Sequence, residues 1–187
     1  RYLMPLIPFH GLCLAAGLQG LPRVLPRLRL SRVRARVGWM AGLALASLLA
    51  TGWRLPLMAR LTAANVENIN QMHVALGKWT AQHTPPDALL AVNDIGAIAY
   101  FSQRRVLDLA GLVTPEVVPI LYRPDRDERL ADLLIERGAE YAIIFPNWFP
   151  GLAGRRDLLQ PVYQVTLEHN TIAGGDTMVV YQVHAPR

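Results

Sequence analysis

Asp94 and Asp108 are the residues of this chain whose spacing most suggests chemistry. Asp94 follows, and Asp108 lies in, one of two successive apolar runs, Ala88–Val92 and Arg105–Leu109, which read as buried strands. If those strands are parallel neighbours, both carboxylates reach one crevice at the carboxyl ends, where open α/β sheets bind ligands. A carboxylate pair there holds a divalent metal or shares a proton. The architectural alternative is that Asp94 caps the next helical turn and Asp108 bonds backbone at its strand end. Arg104 and Arg105 precede the second strand, placed either to grip a sugar or lipid phosphate or to form a solvated turn. Trp148 and Phe149, in the loop 146–151, offer rings that stack on a sugar, dip into a bilayer surface, or pack on the sheet.

Other chemistry is less well supplied. His10 is an ionisable group in an apolar run and is read either as a functional group or as a partner for carbonyls freed by Pro5 and Pro8. His73, His83, His169 and His184 have no His-Glu-x-x-His spacing, and no Gly-x-Ser-x-Gly elbow occurs. The lone Cys13 excludes an internal disulfide and reads as a small hydrophobe. No metal site and no cofactor are assigned to this chain.

These residues need elements to carry them. Val66, Ile69, Met72, Leu76 and Trp79 recur at helical spacing, and Thr84-Pro85-Pro86-Asp87 ends that helix. Ala97–Phe101 reads as a short helical turn, and Thr114-Pro115-Glu116 as a helix start with Pro at its first position. Asp125-Arg126-Asp127-Glu128 resembles a capping box, followed by Leu130, Leu133 and Leu134 and a C-terminal Gly138. Tyr141–Phe145 is a third strand, and Val162–Glu168 with Thr177–Val183 form a hairpin around Asn170–Asp176. The expectation is an α/β domain over 61–187, in two or three layers on a mixed sheet, closing in an antiparallel β-hairpin.

The first third is of another kind. The chain has 187 residues, 52% apolar and 18% charged, which excludes disorder. Residues 1–66 hold nine arginines and no acid, whereas all fourteen acidic residues lie in 67–187. Leu3–Leu21 carries no formal charge and reaches ~28 Å as a helix, about one hydrocarbon thickness. Val37–Trp53 is likewise uncharged, has Trp39 and Trp53 near its ends, and repeats small residues at Gly42, Ala46 and Ala50. Six arginines fill the connection between these runs. The reading is a transmembrane helix over 1–21, a basic cytoplasmic loop over 22–36 and a second transmembrane helix over 37–58. The positive-inside rule then places 61–187 on the extracytoplasmic side of a bacterial plasma membrane. Two flanking spans turn the basic stretch away from nucleic acid and make the lipid bilayer its partner.

Arg1-Tyr2-Leu3-Met4-Pro5-Leu6-Ile7-Pro8 resembles the Arg-Tyr-x-x-Pro-x-x-Pro start of a late transmembrane helix in bacterial polytopic glycosyltransferases of the protein O-mannosyltransferase and aminoarabinose-transferase type. The runs Val92–Phe101 and Val106–Glu116 are similar to the C-terminal outer domain of such proteins, many of which are known simply as uncharacterised membrane proteins. The resemblance implies transfer of a sugar from a polyprenyl-phosphate donor to an extracytoplasmic acceptor. It also implies many spans, a catalytic acid in an outer loop upstream of Arg1, and room for a divalent metal in the full-length parent. No catalytic residue carries over, so the chain is expected to be a C-terminal fragment. Its partners would be the parent's other transmembrane helices and the polyprenyl-phosphate sugar. Asp94, Asp108, Arg104, Arg105 and Trp148 are its candidate substrate-binding residues. The alternative is a non-catalytic, membrane-anchored α/β module that binds a glycan, a lipid or a partner protein.

Overall fold

The structure, a computed structural model, describes residues 32–184; the expected first span, with His10 and Cys13, and the basic loop as far as Ser31 lie outside the described residues. The chain divides into two compact units, 1–60 and 61–187. The described part of the first is helical. Helix α1 (Arg32–Ile69) begins there and carries Pro56 within it. The stretch 37–58 and the residues that follow it as far as Ile69 lie in this one helix. Pro56 removes one backbone donor but its fixed φ is helical, so the helix continues through it. Trp39, Met40, Leu45, Leu48, Leu49 and Trp53 are all exposed, Trp53 at 88%. The helical run Val37–His83 is long and apolar enough to cross a membrane, its most apolar window having a mean hydropathy of 1.3 and none of it buried. Each large apolar side chain left in water forgoes about 1.5–3 kcal/mol of burial, so this surface suits an apolar surrounding.

The second unit is a three-layer α/β/α sandwich. After a π-helical turn (Asn70–Val74) come α2 (Ala75–His83), β1 (Leu89–Val92), α3 (Ile95–Ser102) and β2 (Arg105–Asp108). A 3-10 turn (Pro115–Val117) leads into α4 (Val118–Leu121), α5 (Arg126–Arg137) and β3 (Tyr141–Ile144). The unit closes with α6 (Pro150–Gly154), β4 (Leu159–Thr166) and β5 (Thr177–Val183). The sheet order is β2-β1-β3-β5-β4. β2, β1 and β3 are parallel, and β5 alone runs antiparallel, to β3 on one side and to β4 on the other. The mixed sheet and terminal hairpin are as the sequence implies.

Period-two alternation explains why the central strands read as continuous apolar runs: both faces are covered. Leu90 and Val92, Ile143, Met178 and Val180 pack with Met72, Leu76 and Ile98 of the α2/α3 layer. Ala91, Ala142, Ile144, Val179 and Tyr181 pack with Leu130, Ala131, Leu133 and Leu134 of α5. Crossover α3 thus covers one face and crossover α4–α5 the other, as β2 and β3 lie on opposite sides of β1.

Phe149, for which packing on the sheet is one of the readings, is buried in the cluster that α5 and α6 build on the sheet. Two local expectations change. Val66, read as part of the apolar stripe, is exposed. The capping box does not form: Asp125 makes no side-chain bond to the start of α5 and is instead held by Arg123 and Arg129. The stop at Gly138 is as expected. Its φ of +67° allows Ala139 N–H to reach Leu134 O and Gly138 N–H to reach Ile135 O, a Schellman closure. At the hairpin's free edge, Pro161 sits beside a register shift, where a missing donor does least harm.

Gly77 sets the approach of α2 to α3. A Cβ there would lie 2.9 Å from Phe101 Cβ and 3.1 Å from Ala97 O. Alanine gains about 1 kcal/mol of helix propensity, but overpacking against backbone costs about 1–3 kcal/mol. Gly77→Ala is therefore expected to lower stability slightly and Gly77→Val by about 3 kcal/mol. Urea unfolding of the full chain in detergent checks this; an unchanged midpoint for the valine variant contradicts the close approach.

Candidate functional site

Strand order reverses at β1, which connects to β2 on one side while β3 lies on the other. Loops leaving the carboxyl ends of β1 and β3 must diverge, and divergence opens a crevice. The crevice is present, with a volume of about 450 Å³, lined by Asn93, Leu109, Ala110, Leu121, Arg126, Trp148 and Phe149. Asn93 follows β1, Leu109 and Ala110 follow β2, and Trp148 and Phe149 follow β3.

Asn93 spans the point of divergence. Its Oδ1 accepts from Phe145 N–H at 3.2 Å, linking the end of β1 to the end of β3. That bond fixes which end of the side-chain amide is which, because a backbone N–H needs an acceptor. Nδ2, the remaining donor, is buried without a partner among the described residues. Asn93 is 4% exposed. The Asn68 amide, by contrast, is used at both ends: it donates to His169 O at 2.9 Å and accepts from Thr171 N–H at 2.6 Å.

Trp148 forms a second wall and is 45% exposed. Its indole Nε1–H donates to Gly174 O at 2.6 Å, and its backbone N–H to Phe145 O at 3.0 Å. The sequence Gly174-Gly175 is needed for this fit, since a Cβ on Gly174 would lie 2.5 Å from Trp148 Cζ2. Arg126 closes a third side. Its Nε donates to Asp127 Oδ1 at 3.0 Å and its Nη2 to Trp148 O, with the guanidinium 5.6 Å from the Phe149 ring centre. Asp127 in turn accepts from Gly151 and Leu152 N–H at 2.7 and 3.1 Å, anchoring α6.

The sequence-derived candidates are distributed unequally around this crevice. Trp148 lines it. Asp108 is fully buried behind it, with Oδ1 accepting from Ala110 N–H at 2.8 Å and Oδ2 from Val113 N–H at 2.9 Å. Its carboxylate therefore shapes the loop that presents Leu109 and Ala110. Asp94 turns to the other face, where its Oδ2 lies 3.0 Å from the Nε2 of buried His73, close but not aligned as a hydrogen bond. The two carboxylates thus have separate partners rather than a shared ligand. Arg104 and Arg105 stand at the amino end of β2, away from the crevice. The Arg104 guanidinium donates to the carbonyls of Ala81, Thr84 and Ser102 at 2.8, 2.8 and 2.9 Å, stapling the end of α2 to the start of β2. Arg105 is exposed on an edge strand. Among the described residues no three His, Cys, Asp or Glu side chains gather as a metal-binding group.

Asn93, Arg126 and His73 were not singled out by the sequence. His73 had a usable signal, lying four residues after Ile69 and three before Leu76 on the same helical face. Asn93 had a weaker one, a polar residue closing an apolar strand.

A family model described as Domain of unknown function (DUF8728) matches residues 64–181, the span from the last turns of α1 into β5. No curated protein and no solved structure matches the chain.

The polar contacts make two checks. Contact with His73 holds the Asp94 carboxyl below its usual value near 3.8, against a smaller opposing effect of burial. A depressed folded-state value stabilises the fold above the unfolded value and loses that contribution as pH falls through the folded one. The stability gap between the native chain and Asp94→Asn should therefore narrow below about pH 3.8 in acid-range urea titrations. A gap constant from pH 6 to pH 2.5 contradicts the contact. Asp108→Ala strands two amides and should cost about 1–3 kcal/mol or more by the same unfolding measurement; a neutral substitution would deny Asp108 its architectural role.

Proposed function

We propose that this chain, which belongs to the DUF8728 family, is a membrane-anchored α/β module that binds a glycan at the crevice beside Asn93 and Trp148. The observation that carries this reading is a rigidly held, half-exposed indole lining a crevice at the carboxyl ends of diverging parallel strands. Sugars present both an apolar ring face for stacking and oxygen acceptors for hydrogen bonding. Binding sites at the carboxyl ends of diverging parallel strands are the usual use of this topology.

The anchoring part rests on the exposed apolar surface of α1 and on the charge pattern. In this reading 1–21 and 37–58 both cross the membrane and the positive-inside rule assigns the arginine-rich stretch 22–36 to the cytoplasm, which would leave the α/β unit outside. The larger setting we propose is the terminal part of a multi-span glycosyltransferase that uses a polyprenyl-phosphate sugar. The resemblance of 92–101 and 106–116 to the outer domains of such proteins favours it. In that setting the catalytic acid sits in another loop and the crevice holds acceptor glycan. A free-standing, non-catalytic binding module uses the same crevice without transfer. Sugar transfer by membranes containing the full-length gene product separates the two.

Two measurements test the proposal. Protease added to sealed spheroplasts should trim the unit 61–187; protection there, with cutting in inside-out vesicles, contradicts the orientation. On an oligosaccharide array the full chain in detergent should bind at least one glycan, and Trp148→Ala should weaken binding roughly tenfold by loss of stacking. A chain that binds no glycan contradicts the proposed function.

A further inference from the structure

One end of the α/β unit is more apolar than the other, and it is the end at which the chain enters. The direction follows from contacts inside the unit. Asn68 bonds His169 and Thr171 of the hairpin loop, and His73 lies beside Asp94 at the carboxyl end of β1. Further along the same helical run, the carbonyls of Ala81 and Thr84 meet Arg104 at the amino end of β2. The helix is therefore antiparallel to β1. Leu61, where the unit begins, lies seven residues before Asn68, which is ~10 Å of helix past the level of the carboxyl-end loops.

The loops at the two ends differ in kind. After β2 and β3, residues 109–114 and 145–149 hold no charged residue. Every connection at the amino ends holds at least one: Asp87, Arg104, Glu140 and the run Arg155-Arg156-Asp157. At the carboxyl ends Leu112 is 78% exposed and Tyr122 85%, and Val113 and Ile172 are more than half exposed. Leu112 and Val113 follow edge strand β2, whereas Ile172 sits in the loop joining β5 to the other edge strand, β4. Tyr122 follows Leu121, a wall of the crevice. The hairpin loop 167–176 keeps its acids, Glu168 and Asp176, next to the strands and Ile172 near its middle. Exposed apolar side chains scattered singly are ordinary, but a set gathered across one end of a unit marks an interaction surface.

The entering helix indicates what covers this end. The stretch expected to cross the membrane ends at 58, and 61–66 adds no charged residue. Leu61 and Val66 are exposed, so apolar helical surface continues to within two residues of Asn68. The polar layer on each side of the hydrocarbon is roughly 5–7 Å deep. Amphipathic rings such as that of Tyr122 prefer that layer. Attraction to anionic headgroups is not the cause, because residues 67–187 hold ten basic against fourteen acidic residues. Tethering keeps the lipid surface at high effective concentration, so weak apolar contacts suffice.

We infer that Leu112, Val113, Tyr122 and Ile172 rest in the bilayer surface and dock the carboxyl-end face of the unit on the membrane that anchors it. The inference rests on the anchoring part of the reading above and not on the identity of the crevice's ligand. It accounts for the exposure of Val66, and it sets the crevice at headgroup height.

The test is nitroxide labelling of the full chain in nanodiscs of phosphatidylethanolamine and phosphatidylglycerol. A Cys13→Ser background removes the lone cysteine, and single labels go on Leu112→Cys, Tyr122→Cys and Ile172→Cys. Tyr100→Cys, exposed near the last turn of α3 at the amino-end side, marks water, and Leu48→Cys on α1 marks lipid. Power saturation compares collision with oxygen, which concentrates in lipid, and with a water-soluble nickel chelate. The oxygen-to-nickel ratio at the three face labels is expected to exceed that at Tyr100→Cys severalfold, in low and high salt alike. Ratios equal to that at Tyr100→Cys, with Leu48→Cys in lipid, overturn the inference and leave the anchoring standing. Face labels shielded from both reagents overturn it in favour of a protein partner, such as a second copy of this chain. A face released by high salt overturns it in favour of contact through charge. A Leu48→Cys label in water overturns the anchoring and this inference together.

Discussion

A single side-chain hydrogen bond holds this sheet together where its strands are about to separate. β1 and β3 are paired as far as Val92 and Ile143, and then their continuations leave for opposite faces. Asn93 Oδ1 and Phe145 N–H bridge the gap one step later. The bond has architectural consequences in both directions. Phe145 is kept fully buried between layers, and the loop that follows it is launched at a fixed angle. The same bond uses only half of the Asn93 amide.

Most of the other polar side chains near the crevice act as scaffolding around that bond. Asp108 folds the loop after β2 through two amides. Asp127 secures α6, and Gly174 leaves room for the Trp148 indole to lie against the hairpin loop. Each fixes one wall: Asp108 and Asp127 from the loop-and-helix path that leads from β2 to β3, and Gly174 from the hairpin. The Asp108 oxygens are engaged by backbone and Asp94 faces His73. That is why the two carboxylates, so suggestive when read along the chain, do not form a shared site. Arg104 teaches the same lesson at the opposite end of the strands, where three backbone carbonyls take its donors.

Much of the fold was legible because its signals are local. The apolar runs at 89–92 and 141–145 lack alternation, which is what a strand buried on both faces requires. Gly138 announces a helix stop through the φ it alone adopts cheaply, and Gly174-Gly175 announces the hairpin loop. What was not legible depends on distant partners. Nothing in Pro150-Gly151 says that the neighbouring Phe149 will be folded inward by contact with α5. Asp125 has the right type and spacing for a cap, but Arg123 and Arg129 compete for its oxygens and win. The site was harder still. Trp148 could be singled out as an aromatic in a loop. The value of Asn93 depends on Phe145 lying beside it, a contact between residues far apart in sequence.

The account stands on the half-exposed Trp148 indole being a binding platform. Tryptophan indole ¹⁵N labelling of the full chain in detergent observes it directly, with the Trp148 signal assigned by its loss in Trp148→Phe. The account predicts that this signal shifts when a binding glycan is added. Glycan binding that leaves it unmoved would place the ligand elsewhere and contradict the central claim.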